Sequence, residues 1–107
     1  MRRLTASSQT SDPRAERLLP DEFLLSRNIP NPFSSNTVIG FGLTEPAHLK
    51  LEVFDLLGRK VVTLIDGPKQ AGFHSVAWNA DSFASGIYFY RIEAGEFTKS
   101  EKMILLK

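Results

Sequence analysis

From Phe23 onward the chain is a succession of short apolar runs separated by turn-forming residues. Thr37–Leu43 alternates, with Ile39, Phe41 and Leu43 on one face and small residues on the other. Glu45-Pro46 ends that run. Leu49, Leu51 and Val53 then alternate with Lys50, Glu52 and Phe54, the pattern of a strand with one face on a core. Asp55-Leu56-Leu57-Gly58 is a β-turn signal, because Gly58 can take the positive φ that closes it. Lys60–Ile65 is the return arm, so Leu49–Ile65 reads as a hairpin, and Asp66-Gly67-Pro68 is expected to break the chain again. Phe73–Asn79 alternates once more, with Val76 and Trp78 on one side, and His74 sits between Phe73 and Val76, both read as core positions. Gly86–Ile92 is apolar on both faces, which predicts a strand inside a sheet and covered on both sides. After the Ala94-Gly95 turn, Phe97–Leu106 gives a last strand. Six strands follow from these patterns, and Phe23–Leu25 makes a seventh. No segment past residue 23 keeps a helical period, so the fold class is all-β, an antiparallel sandwich.

Residues 1–22 have a different texture, rich in Arg, Ser, Thr and Asp, with Pro13 and Pro20. Arg14–Leu19 could form one helical turn that Pro20 would stop. A flexible linker or leader is the expected reading, followed by one domain over 23–107. The length of 107 residues agrees with a single domain. Thirteen Lys and Arg against twelve Asp and Glu leave a net charge of +1, which argues against the broad basic field of a nucleic-acid binder. The absence of cysteine excludes disulfides, thiol nucleophiles and Cys-ligated zinc. No apolar run approaches the roughly 20 residues of a membrane-spanning helix. The segment before Leu19 has basic residues but no apolar stretch of the signal-peptide kind.

Candidate chemistry is sparse. A hydrolase would bring together a nucleophile, a base and an orienting acid, yet no G-x-S-x-G elbow is present and His48 and His74 read as surface or strand-edge histidines. The two are too far apart in sequence, and too poor in neighbouring acids, for a zinc site. Asp55, Asp66 and Asp81 fall at expected turns, where Asp caps the backbone, and no D-x-D-x-D run marks a calcium loop. No catalytic, cofactor or metal residue is therefore assigned, and the chain is not expected to be an enzyme. Trp78, Tyr88 and Tyr90 could make a sugar-stacking platform if Trp78 lay on a flat exposed face; in a core they would pack together with their polar tips at the rim. Lys50, Arg59, Lys60, Lys69, Arg91, Lys99 and Lys102 are interleaved with acids and read as solvated faces.

Two segments stand out. In Asn28–Phe33 two prolines, Pro30 and Pro32, flank Asn31; each fixes φ and biases the residue before it towards an extended form. The pair makes a stiff approach that delivers Phe33 to the edge of the sandwich as an anchor. The second is Lys102-Met103-Ile104-Leu105-Leu106-Lys107, strand-like and apolar up to the last residue, where chain ends usually turn polar. It reads as the last strand, as a segment offered to a partner, or as both.

In order along the chain, five segments resemble the C-terminal sorting domain, type A, of cargo proteins of the bacterial type IX (Por) secretion system. Ile29–Phe33 is similar to its Tyr/Ile-Pro-Asn-Pro-Phe box and Val53–Val61 to its V-[YF]-D-x-x-G-[RK]-x-V segment. Ala71–Asn79 matches A-G-x-[HY]-x-[VI]-x-W-[ND], Ser85–Phe89 matches S-G-[IV]-Y-[FIVL], and Lys102–Leu105 matches the closing K-[MILV]-[VIL]-[LVI]. One departure is Ser34-Ser35, where many members continue with Asn-Pro. A more distant likeness is to the immunoglobulin-like module of flagellar hook-capping proteins.

The resemblance implies an immunoglobulin-like sandwich of about seven strands that carries an attached cargo across the outer membrane. Its implied partners are the outer-membrane translocon, cargo-shuttling or sortase-like components, and an upstream cargo domain in the same precursor. Cleavage around Leu18–Asn28 and attachment to an anionic lipopolysaccharide would follow in many members. The implied location is secreted or cell surface, reached through the periplasm of a Gram-negative bacterium. On this reading Lys102–Lys107 is the recognition element, its open edge available for strand pairing. Pro30, Asn31, Pro32, Phe33, Asp55, Gly58, Gly72, Trp78, Gly86 and Tyr88 set the fold, and Gly86→Val is expected to damage folding through strain and crowding. A carbohydrate-binding module and a structural spacer are the alternatives.

Overall fold

The computed structural model describes residues 19–107, so the expected leader lies, for residues 1–18, outside the described part. Seven strands follow in order: β1 (Leu24–Leu25), β2 (Asn36–Leu43), β3 (Ala47–Asp55), β4 (Lys60–Lys69), β5 (Gly72–Asn79), β6 (Gly86–Ala94) and β7 (Phe97–Leu105). They form two sheets, one ordered β1-β2-β5 and the other β4-β3-β6-β7, and every pairing between strands is antiparallel. This is the expected immunoglobulin-like sandwich, with the seventh strand at Leu24–Leu25.

The alternating patterns put their apolar members between the sheets. Ile39 and Leu43 of β2, Leu49, Leu51 and Val53 of β3, and Tyr90 and Ile92 of β6 are fully buried, as are Met103 and Leu105 of β7. Close packing of these faces removes their surface from water and is the main source of stability. Tyr88, near the start of β6, donates from its hydroxyl to the Ala84 carbonyl four residues upstream at 2.6 Å, the tyrosine-corner arrangement of immunoglobulin-like sandwiches. Tyr90 reaches across to the other layer, donating to the Ser26 carbonyl at 2.6 Å.

Four expectations need revision. Asp66-Gly67-Pro68 does not interrupt β4; the three residues pair with Lys50, Leu49 and His48 in turn. An edge strand has one side without a neighbour, so a residue lacking an N–H is tolerated there. Asp66 accordingly lies in a strand rather than a turn and sits 2.8 Å from His48. Strand β6 is interior to its sheet but covered on one face only, since Tyr88, Tyr90, Ile92 and Ala94 are buried while Ile87 is exposed. Phe73 is no core residue: it projects outward and is 53% exposed, whereas His74 faces inward, stacks on Phe41 at 5.3 Å and bonds the Gln70 carbonyl. Finally, a side chain at Gly86 would meet no atom within 4 Å, so crowding is absent there; its φ of +158° leaves backbone strain as the cost of substitution.

Candidate recognition surface at the end of the last strand

The Pro-Asn-Pro-Phe segment does more than anchor. Upstream of it, residues 24–29 run along β2: Leu24 and Leu25 pair with Gly42 and Phe41, Ser26 N–H donates to the Gly40 carbonyl at 2.8 Å, and Ile29 and Val38 exchange two bonds of 2.9 Å. The chain then crosses to the other sheet. Phe33 N–H donates to the Ile104 carbonyl at 3.0 Å and the Phe33 carbonyl accepts from Leu106 N–H at 2.8 Å. Asn31 extends the pairing with its side chain, accepting from Ile104 N–H at 3.0 Å and donating to the Lys102 carbonyl at 3.5 Å. Both prolines follow cis peptide bonds. One segment thus closes the same side of both sheets.

The crossover is held by buried polar groups. Asn28 is 2% exposed; its Nδ2 donates to Thr37 Oγ1 at 3.0 Å and to the Pro30 carbonyl at 3.1 Å. Thr37 Oγ1 in turn donates to the Pro30 carbonyl at 2.8 Å. Neither side chain has a role in the sequence reading, although Asn28 opens the proline segment and Thr37 the first alternating run. The only signal was a polar residue directly before Ile-Pro, and a polar residue at the start of a strand pattern, both of which usually mean solvent.

Beneath this cover lies an aromatic cluster. Phe33, 3% exposed, packs against Trp78 with ring centres 5.8 Å apart. Trp78 also meets Phe83 at 5.2 Å and Tyr88 edge-on at 5.6 Å. With Trp78, Tyr88 and Tyr90 all buried, the sugar-stacking platform does not exist: the flat exposed face it needs is occupied by Phe33, Phe83 and the opposite sheet.

The Asp55–Gly58 turn lies at the same end. Asp55 pairs with Tyr88 across the sheet, and its carboxylate accepts from Leu57 N–H and Arg59 N–H at 2.9 Å and from Arg59 Nε at 2.8 Å. The backbone bond from Arg59, aided by the guanidinium beside it, holds the Asp55 carboxyl below its ordinary value against a smaller opposing effect of desolvation. Gly58 takes φ +84° in this turn.

Within Lys102–Lys107 the strand divides. Met103 and Leu105 are wholly in the core, Lys102 and Ile104 lie on the outer face, and Leu106 is 58% exposed. Lys107 N–H donates to Ser85 Oγ at 2.9 Å, and its Nζ bonds the Asp81 carbonyl. The strand edge expected to be open for pairing is not open from Lys102 to Leu106, because Asn31 and Phe33 already occupy its hydrogen-bonding groups. What remains accessible is a face rather than an edge.

That face belongs to the outer side of the four-stranded sheet. Ile87 and Ile104 pair across it, as do Phe89 and Lys102, and Phe54 pairs with Phe89. Next to them Glu52, 5% exposed, sits between Lys60 at 3.2 Å and Arg91 at 3.7 Å, and the Arg91 guanidinium lies 4.7 Å over the Phe54 ring. Most of the residues singled out in the sequence therefore converge on one end of the sandwich. Gly72 does not: it pairs with Leu43 at the opposite end, buried, with φ 132°. Among the described residues no group of three or more His, Asp or Glu is placed to hold a metal ion, and no helix is long and apolar enough to cross a membrane.

The family model for the secretion system C-terminal sorting domain matches residues 29–106. The chain belongs to that family. The match opens at the Ile29–Phe33 box and closes on the last strand, so the likeness first seen in five short segments holds over the folded domain. No curated protein matches the chain. Among solved structures the sorting domain resembles PorZ, described as an essential bacterial surface component of the type IX secretion system of Porphyromonas gingivalis, with a TM-score of 0.53 and 19% identity. The likeness covers 92% of this chain and 13% of PorZ, and what it demonstrates is a shared fold.

Proposed function

We propose that this sorting domain is a non-catalytic secretion signal that directs an attached cargo protein across the outer membrane through the type IX secretion system. The observation that carries the reading is the family match over residues 29–106, which spans the whole unit from the Pro-Asn-Pro-Phe segment to the last strand. The fold likeness to a surface component of that system supports it. The partners in this reading are the outer-membrane translocon with its shuttling or sortase-like components, and a cargo domain upstream in the same precursor. The destination is the cell surface or the medium of a Gram-negative bacterium.

The accessible part of Lys102–Lys107 is the recognition element in this proposal, with Met103 and Leu105 holding it in place from the core side. In this proposal any proteolytic release lies in the upstream part of the Leu18–Asn28 stretch, a reading supported by the bonding of Leu24, Leu25, Ser26 and Ile29 to β2.

The test is an export assay with the complete chain fused behind a fluorescent reporter that carries a secretory signal. It is expressed in a host with a working type IX system and in a translocon-defective twin. Reporter at the surface or in the medium of the competent host alone is the expected result. Reporter held in the periplasm of both strains, with the domain folded, would overturn the proposal.

A further inference from the structure

Strand β5 lies at the edge of its sheet, and among the described residues no strand pairs with its outer side. Ala80 N–H donates to the Ser35 carbonyl at 2.8 Å. By the alternation of an antiparallel ladder, Trp78, Val76 and His74 then direct their backbone groups at β2, while Asn79, Ala77, Ser75 and Phe73 direct theirs away from it. Sheet edges are ordinarily blunted by charge, proline or bulges. The edge of β4 has all three, with Lys60, Asp66, Pro68 and two breaks of register. The end of β7 is closed by Asn31 and Phe33. Gly72–Asn79 has no acid, lysine, arginine or proline, and its register against β2 is unbroken.

The space beside this edge has an apolar floor. β4 and β5 are joined only by Gln70 and Ala71, and from that corner they diverge. Trp78, near the far end of β5, meets Tyr88 of β6 at 5.6 Å, and Phe23, next to β1, stacks on Phe97 of β7 at 5.5 Å. Three strands thus cover four, and β4 is the one left over. Val62 and Ile65 pair with Val53 and Leu51 and share their inward face. Val53 and Leu51 are fully buried, yet no residue of β4 is. Val76, inward on β5, is likewise only half-buried. A row of unpaired backbone groups therefore stands beside a strip of half-covered apolar side chains.

We infer that the free edge of β5 accepts one extended segment of a partner protein, bonded through Phe73, Ser75, Ala77 and Asn79, with uncharged side chains along the seam and apolar ones at alternate positions over Val62 and Ile65. Strand addition of this kind takes its affinity from main-chain bonds and its specificity from alternate side chains. The chemistry of the segment follows from its surroundings: neither β5 nor β2 carries a charged residue, so a charge buried at the seam would lose water and gain no counter-ion. A folded second copy is held less well. The seam from Phe73 to Asn79 is about 20 Å long and a sheet about 10 Å deep, so about 200 Å² per partner would be covered, against about 800 Å² in a stable interface. An extended segment gains the floor of β4 in addition. This surface goes beyond the secretion-signal reading and does not depend on it, since the geometry of β4 and β5 alone carries it.

The test uses the complete chain and a synthetic peptide of residues 36–43, the sequence that β5 already accepts on its other side. In the chain alone, the amides of Phe73, Ser75, Ala77 and Asn79 should exchange rapidly. Peptide at millimolar concentration should slow them at least tenfold and shift the methyl signals of Val62 and Ile65, leaving the β7 amides unchanged. Two further peptides, N-methylated at one or the other set of alternate residues, separate backbone pairing from adhesion: one should lose binding at least tenfold and the other keep it. Ser75→Pro removes an N–H that β2 does not use, so it should melt within a few degrees of wild type and fail to bind the peptide. The methylated pair needs no change in the chain and decides the matter should that variant misfold. No protection at millimolar peptide, or equal binding by both methylated peptides, would overturn the inference. Protection of the same amides that grows with chain concentration without peptide, together with a doubled mass in sedimentation, would assign the edge to a second copy and likewise overturn it. Export is not read in any arm, so failure of the secretion-signal reading would leave the result standing.

Discussion

Asn31 is a side chain acting as a piece of strand, and removing it should open the last strand locally before it unfolds the domain. In Asn31→Ala the Ile104 N–H loses its acceptor at 3.0 Å and the Lys102 carbonyl loses a donor at 3.5 Å. The second bond is at the limit of useful length and contributes a few tenths of a kcal/mol at most. The first is part-buried, and leaving its donor unpaired costs about 1–2 kcal/mol. A domain of this size shifts its melting temperature by about 4–8 °C per kcal/mol. The variant should therefore melt roughly 5–15 °C lower by circular dichroism or calorimetry.

The local signature is sharper than the global one. Amide exchange at Ile104 should accelerate beyond what the loss of global stability accounts for, because that amide can open without the core opening. Amides of β3 and β6 should change only in step with global stability. Asn31→Asp keeps the acceptor for Ile104 and drops only the weak donor, so it should recover the Ile104 protection. An Asn31→Ala protein with an unchanged melting temperature and wild-type exchange at Ile104 would refute the idea that this side chain seals the strand edge.

Three further outcomes follow from the geometry. Deleting Lys102–Lys107 removes two fully buried side chains, each worth about 2–5 kcal/mol in a domain whose total stability is about 5–15 kcal/mol; the truncated chain should lose cooperative melting, so that its failure in export would report misfolding rather than a missing signal. Gly58→Val forces a β-branched residue to φ +84° with no compensating contact and should cost at least about 1–2 kcal/mol in chemical denaturation, whereas a fully native midpoint would mean the turn relaxes. Burial, assisted by the negative charge of Glu101, pushes the Tyr90 hydroxyl up from 10.0 to about 12. Above pH 10 the unfolded chain releases this proton and the folded chain retains it, so the unfolded state binds fewer protons and stability falls as pH rises, most steeply between pH 10 and about 12. Tyr90→Phe should show a shallower decline over that window, and parallel curves for the two proteins would contradict the assignment.

The pattern of apolar positions was enough to locate all seven strands and the core faces of β2 and β3. Alternation with period two is imposed by the strand itself, and a residue such as Leu49, Leu51 or Val53 can only serve the core if every second position does. The family was legible for a related reason: a turn such as Asp55–Gly58 or a proline pair such as Pro30 and Pro32 needs particular residues at fixed spacing, and spacing is a property of the chain.

Tertiary structure decided what no local window contains. That Pro68 continues a strand depends on β4 lying at an edge, and that Phe73 faces water while His74 faces inward depends on the register of β5 against β2. The closing of β7 by Asn31 joins residues 73 positions apart, so nothing near Ile104 in the sequence could announce that its edge was taken. The same holds for the half-covered face of β4, where Val62 and Ile65 stay partly in water only because the facing sheet has one strand fewer. Sequence fixes which faces a residue can choose between; which face is inside, which edge is sealed and which apolar side chains stay in water are settled by the partners that the fold brings to them.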